Sequence, residues 1–245
     1  MPAEPETSLS VILPAHNSAA VIERTVARLR ERLAGSESEI IVVENGSTDE
    51  TWAIAQRLAS DGPPRVRALR SEKGMGNALR AGIEASTRAR VLLSADDLPF
   101  GFDDLDRAAE LEEPAEMVIG SKAHPRSQVD RGGLRSLSTW GFRVLRRLIL
   151  GSRVGDSQGT ILADGPWLRA MAPVLDSPGF LFSTQLCFAA ELQRLRVVEV
   201  PVRLAAEPKV STVRLSDVWA MGAGLLVVRR GRSALARPVT QMDHR

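Results

Sequence analysis

Two hydrophobic rhythms alternate along the first half of this chain. Leu9–Leu13 (LSVIL), Glu39–Val43 (EIIVV), Arg65–Leu69 (RVRAL), Arg90–Ser94 (RVLLS) and Glu116–Gly120 (EMVIG) are short apolar runs bounded by turn residues, the pattern of buried strands. Between them apolar residues return every three or four positions. Ile22, Val26, Leu29 and Leu33 predict one helix; a second follows ENGSTD, with Asp49 or Thr48 as its cap, and closes at Pro63 and Pro64. A third leads from SEKGMG to Ala85. Strands separated by helices predict an α/β fold, a mostly parallel sheet flanked by helices. Ligands of such sheets lie beyond the carboxyl ends of the strands. The turns PAHN, ENGSTD, SEKGMG, SADD and GSKAHP all fall at such ends, so one composite site is expected.

The pattern changes after Gly120. Leu134, Leu137, Gly141, Val144 and Leu148 follow helical spacing, while the basic residues from Lys122 to Arg153 face only Asp130. A second basic cluster, Arg229, Arg230 and Arg232, follows the apolar run Val218–Val228. Helices with such flanks either rest on an anionic membrane surface or bury their apolar side and leave a solvated arginine face. No apolar run reaches the ~18–20 residues that span a bilayer. MPAEPETS has no secretory pattern, and residues 1–7 and 231–245 are expected to be loose around a domain at 8–230.

Composition narrows the picture. A hydrophobic share of 44% over 245 residues is enough for a substantial core. A formal charge of +2, no tyrosine and 4% aromatics argue against a nucleic-acid partner. The single cysteine, Cys187, excludes an internal disulfide.

Asp96 and Asp97, just past a buried strand, must cap the next turn, remain solvated or hold a cation. Lys73 precedes a helix start whose free N–H groups and glycines suit a phosphate. Arginine is abundant but there are only three lysines, Lys73, Lys122 and Lys209, and each lies in a chemically loaded loop.

Taken in order, SVILPAHNSAAVIERTV, IIVVENGSTDET, EKGMGNALRAGI and VLLSADDLPF resemble the nucleotide-binding half of family 2 glycosyltransferases with the GT-A fold. GSKAHPRSQVDRGGLR, VGDSQGTILADGPWLRAM and VVEVPVRLAAEPKVSTVRLSDV resemble the polyprenyl-phosphate sugar synthases within it, the dolichyl-phosphate mannose and glucose group. The resemblance spans roughly Ser8 to Val228. It implies a nucleotide-sugar half at 8–120 and an acceptor half at 121–230. Three positions depart from the family pattern. Glu44 and Asn45 stand where two aspartates are usual, Ser94 opens the usual aspartate-x-aspartate, and Phe182-Ser183-Thr184-Gln185 replaces an acidic stretch.

By this resemblance Pro14, Ala15, Asn17, Glu44 and Asn45 line the base and ribose pocket. Ser94 orients a metal-bound water or contacts ribose, Lys73 and Gly74 suit the phosphates as read above, and Ala95 and Asp96 complete the nucleotide-sugar site. Asp96, with Asp97 as a possible second ligand or a turn residue, holds a divalent cation, Mg2+ or Mn2+. His16 reads as positional. A phosphomonoester acceptor arrives mostly ionised, its second pKa being about 6, so it needs cations more than a base. Lys122, Arg126, Arg131 and Lys209 are the candidates. Asp156 and Gln158 match the acceptor-side loop, with Asp156 as base, cation partner or organiser. The expected activity is inverting transfer of a hexose from a nucleotide sugar, a UDP-sugar being favoured and GDP-mannose the other candidate, to a polyprenyl phosphate. It would act peripherally on the cytoplasmic membrane face, with or without a membrane-protein anchor. Two alternatives remain: transfer to a hydroxyl acceptor on a metabolite or glycan, and a non-catalytic nucleotide-sugar binder.

Overall fold

The computed structural model describes residues 8–128, 133–204 and 215–238, with the backbone alone for 133–139 and 215–220. In chain order it contains β1 (Leu9–Ala15), α1 (Ile22–Arg32), β2 (Glu39–Glu44), α2 (Thr51–Leu58), β3 (Arg65–Arg70), α3 (Met75–Ala85) and β4 (Arg90–Leu93). There follow α4 (Asp103–Ala109), β5 (Met117–Ser121), α5 (Gly133–Leu150), β6 (Thr160–Asp164) and α6 (Gly165–Met171). The last elements are α7 (Leu181–Leu192), β7 (Val197–Pro201), α8 (Leu215–Arg230) and α9 (Arg232–Leu235). They form two compact units: residues up to Leu98 with Thr160–Gly179, and Pro99–Gly159 with Phe180 onward. The sequence reading divides the chain near residue 120 instead.

In the first unit the strand order is β3-β2-β1-β4-β6. β1 is parallel to both β2 and β4, with Val11 opposite Ile40 and Leu92. The predicted strands are all present. β1 and β2 are buried along nearly their whole length, which explains their unbroken apolar runs. β1 continues through Pro14 to Ala15. The Ile12 carbonyl accepts from the Ser94 N–H; two residues on, the same edge presents Pro14, which has no N–H to give. Pairing with β4 therefore ends at Ile12, while β2 stays paired as far as Ala15. The loop after β4 is thus released beside the end of β1. β6 runs antiparallel to β4, a direction that hydrophobic periodicity does not encode. Asp164 ends it by accepting from the Trp167 N–H at 2.8 Å, starting α6 with Pro166 in its first turn.

In the second unit β5 and β7 are parallel, Met117 opposite Val197 and Ser121 opposite Pro201, with α4 packed on them. α5 packs along α8. The expected choice for α5 was a membrane-facing helix or a core helix with a solvated arginine face. Features of both are present: Arg143 and Arg147 are exposed while Arg146 and Leu150 are buried, and Leu148 of the apolar stripe is 75% exposed. Among the described residues no helix is long and apolar enough to cross a membrane.

Candidate active site

The strand ends of the first unit meet through side chains. After β1, Asn17 adopts φ +51 and its Oδ1 accepts the Thr48 N–H at 2.9 Å; its own N–H donates to Ser47 Oγ at 3.1 Å. Asp49 accepts from the N–H groups of Ala19 and Thr51, at 3.1 and 3.0 Å. Asp49 was expected to cap α2; it does so from one residue before Glu50, which occupies the cap position without a side-chain bond. The loops after β1 and β2 are therefore stitched together.

Within that frame Glu44 and Asn45 play different parts. Glu44 accepts from the Ser47 N–H and pairs with Arg70 Nε at 3.2 Å, while the Arg70 guanidinium stacks 4.2 Å from the Trp52 ring centre. Burial alone raises the Glu44 carboxyl, yet hydrogen bonds from Ser47 and the Gly46 N–H, with Arg70 alongside, hold it below its ordinary value. It organises the turn. Asn45 is buried and its Oδ1 has no hydrogen-bond partner among the described residues, while its backbone oxygen lies 3.2 Å from His16 Nδ1. A buried amide oxygen in this state can accept from a bound ligand.

Asp96 is brought to the same end of the sheet. Its Oδ2 accepts from the hydroxyl of Ser18, a residue that the sequence reading did not single out. Ser94, Ala95 and Asp97 flank it, all half-buried. No cluster of three or more His, Cys, Asp or Glu side chains placed to hold a metal occurs among the described residues. A donor set this sparse fits Mg2+ or Mn2+ drawing further ligands from a diphosphate and water. Asp96 and Asp97 are the groups that would hold it.

The turn around Lys73 corrects one expectation. The helix-start N–H groups read as free for a phosphate are occupied: those of Gly76 and Asn77 donate to the Pro178 carbonyl at 2.8 and 3.2 Å. A Cβ at Gly74 would lie 2.4 Å from the Pro178 oxygen, and one at Gly76 2.1 Å from the Ser177 oxygen. These glycines admit a second backbone segment. Lys73 itself is exposed and packs the base of its side chain by Gly46 in the turn after β2.

The second unit builds a separate cluster around the loop before β6. Asp156 accepts through Oδ2 from the Lys122 N–H at 2.9 Å and lies 3.3 Å from Lys122 Nζ; through Oδ1 it accepts from the Gln158 N–H at 3.0 Å. Lys122 Nζ also donates to the Gln158 carbonyl at 2.7 Å and sits 5.3 Å from the Phe100 ring centre. Glu199 on β7 accepts from the N–H groups of Gly155 and Asp156 at 2.7 and 3.0 Å. Arg146, from α5, donates to Ser157 Oγ at 2.6 Å and to the Val154 carbonyl. Burial pulls the Arg146 guanidinium below its ordinary value, against the pull of the acids around it. Gln158 Nε2 donates to the Phe180 carbonyl at 2.9 Å and to Thr184 Oγ1 at 3.2 Å.

Glu199 and Arg146 were missed as site-builders. The lone acid in VVEVP was a usable signal; which arginine of α5 turns inward was not marked by composition. Arg126 does not join this cluster. It lines a groove of about 220 Å³ with Arg107, Arg203 and Asp103, where the Arg203 hydrogen bond holds the Asp103 carboxyl low. Arg131 and Lys209 lie outside the described residues.

Comparison with known proteins agrees with this geometry. The model of glycosyl transferase family 2 matches residues 10–168. Glycosyltransferase AglD of Haloferax volcanii is 31% identical over 89% of this chain, which spans 36% of that protein. A dolichyl-phosphate beta-glucosyltransferase of Drosophila melanogaster is 30% identical, covering 91% of this chain and 75% of its own length. An undecaprenyl-phosphate mannosyltransferase of Micrococcus luteus is 30% identical over 78% of this chain and 81% of itself. Among solved structures, glucosyl-3-phosphoglycerate synthase from Mycobacterium tuberculosis, in complex with Mn2+, UDP and phosphoglyceric acid, superposes with a TM-score of 0.62 at 20% identity. That match covers 95% of this chain and 80% of the other, a likeness of fold. The strand order, the loaded strand ends and the matched residues place this chain in glycosyl transferase family 2, with its α/β GT-A fold.

Proposed function

We propose that this chain transfers a hexose from a nucleotide sugar to a polyprenyl phosphate, with inversion, at the cytoplasmic face of a membrane. A uridine nucleotide is the favoured donor, with GDP-mannose the alternative. Two of the relatives named above carry polyprenyl-type acceptors in their names, one with glucose and one with mannose.

The observation that carries the acceptor class is the state of Asp156. It is the one carboxylate in the GDSQG loop, it is 7% exposed, and both its oxygens serve Lys122 and the loop's own N–H groups. A carboxylate so engaged is poorly placed to deprotonate a hydroxyl. A lysine held beside it suits a nucleophile that arrives already ionised.

In the first unit Pro14, Ala15 and Asn17 shape the base pocket, and the free oxygen of Asn45 accepts from the base or ribose. Ser94, Ala95 and Lys73 lie along the diphosphate, and Asp96 with Asp97 holds a divalent cation. When bound, that cation supplies positive charge to the leaving diphosphate. Ser18 fixes the carboxylate of Asp96 in one orientation. In the second unit Lys122 neutralises the acceptor phosphate, and Asp156 and Gln158 position Lys122. The acceptor oxygen forms its bond to the anomeric carbon as the bond to the diphosphate breaks and the diphosphate keeps the electron pair. Orientation of the two substrates supplies much of the rate.

The test is a transfer assay with radiolabelled UDP- and GDP-sugars, undecaprenyl or dolichyl phosphate, and Mg2+ or Mn2+. Label should enter the lipid extract, and Lys122→Ala should lose more activity than Asp156→Asn. Label reaching only water-soluble acceptors, with Asp156→Asn abolishing turnover, would overturn the lipid reading.

A further inference from the structure

We infer that the outward face of α5 and α8 is the surface by which this protein lies on an anionic lipid bilayer. The inference rests on the lipid-acceptor reading above and adds the face that meets the lipid. On α5, Trp140 is 55% exposed and Leu148 75%. On α8, Leu226 is 47% exposed and Val227 56%. With Phe180 and Met75 they are the large apolar side chains most open to solvent among the described residues.

At helical spacing Trp140, Val144 and Leu148 fall on one side of α5, with Arg143 and Arg147 along its edge. α8 repeats the arrangement, with Leu226 and Val227 beside Arg230. The two outward faces form one surface. Leu145 lies 3.6 Å from the Cβ position of Gly222, and further along both helices Arg229 Nη1 donates to the Ile149 carbonyl at 2.8 Å. The contacts advance together, so α5 and α8 run side by side in the same direction. Their inner sides are committed: Leu225 and Val228 are buried on α8, Arg146 and Leu150 on α5.

Charge selects the occupant. Arg143, Arg147, Arg229, Arg230 and Arg232 are exposed, and the sequences of α5, α8 and α9 hold a single acid, Asp217, which lies outside the described side chains. A second copy docked face to face would oppose arginine to arginine. Anionic headgroups complement the arginines, while the apolar side chains reach the acyl boundary in the manner of helices lying in the interface plane. The inner side of α5 carries Arg146, which anchors the GDSQG loop. The helix on the bilayer is thus the helix that holds the acceptor loop.

The experiment is co-sedimentation of the full chain with phosphatidylglycerol-containing and pure phosphatidylcholine vesicles, both lacking polyprenyl phosphate. Binding should be at least about tenfold stronger to the anionic vesicles and fall with added salt. Leu148→Glu with Leu226→Glu, and separately Arg147→Glu with Arg230→Glu, should abolish it while thermal stability and UDP binding stay at wild-type values. Variants that bind like wild type would overturn the inference. So would a wild-type dimer that Leu148→Glu dissociates, with no vesicle binding, since the face would then join copies. Vesicle binding without transfer to any polyprenyl phosphate would leave this surface standing and remove the acceptor reading instead.

Discussion

Asp96 and Asn45 show how side-chain identity becomes chemistry in this molecule. Asp96 is held by Ser18 at the end of the sheet where Asn45 keeps an unpaired oxygen and Lys73 packs against the turn after β2. Replacing Asp96 by Asn keeps the shape and removes the charge, so transfer should fall about a hundredfold or more. Ser18→Ala should cost less, about tenfold, because it frees the carboxylate without removing it. Asn45→Ala should weaken UDP binding by about tenfold in calorimetry, whereas Asn45 replaced at no cost to affinity would leave its buried oxygen unexplained. Arg146→Ala strands the Val154 carbonyl and leaves Ser157 Oγ with Thr184 alone, and should destabilise the fold by about 2–4 kcal/mol in denaturant titration, with Arg146→Lys recovering only part. The sequence marked Asp96 and Asn45 by their place after apolar runs. It did not mark Ser18 or Arg146, because a hydrogen-bond partner brought in from another element leaves no local pattern.

Elements were legible where burial alone decides them. β1 to β4 appear where their apolar runs predicted, β1, β2 and β4 being covered along nearly their whole length, whereas β6 of the same unit was not read as a strand. What the runs could not carry was direction and company. β6 runs antiparallel, and the glycines of SEKGMG answer to Ser177 and Pro178, about a hundred residues later, rather than to a phosphate. Two glycines in helices make the contrast measurable. Gly76→Ala sets a methyl against the Ser177 oxygen and should destabilise by about 1–3 kcal/mol. Gly141→Ala meets open space and should stabilise by about 0.5–1 kcal/mol through helix propensity.

Glu39 is one of the carboxylates, with Glu44, that make the first unit acid-sensitive. It is buried and accepts from Ser10 Oγ at 2.7 Å and from the Thr87 N–H at 2.8 Å. Burial raises its carboxyl, but those bonds and Arg67 outweigh it and hold it below the ordinary 4.5. A lowered folded value gives stability that is complete above about pH 4.5 and lost as pH falls through the folded value. Glu39→Gln should therefore lower stability at neutral pH and flatten the acid slope below about pH 4.5.

At the scale of the whole molecule, each unit carries its own polar machinery: strand-end loops suited to a nucleotide in the first, and a lysine-carboxylate loop in the second. The resemblance of ordered motifs identified the family from sequence, and the family match over residues 10–168 bears it out. The acceptor and membrane readings depend on features that only folding reveals, namely an engaged Asp156 and an apolar stripe turned outward. Cys187 offers a probe of the second unit. It is buried, and burial raises its thiol well above the ordinary value, so it should resist thiol reagents until that unit opens.

The central claim is that Asp96 joins a divalent cation to the diphosphate of the donor, and isothermal titration of UDP into wild type and Asp96→Asn, with and without Mn2+, tests it most directly. Wild type should bind UDP at least about tenfold more tightly with the metal, and Asp96→Asn should lose that gain while keeping metal-free binding. An equal metal-dependent gain in both proteins would contradict the account.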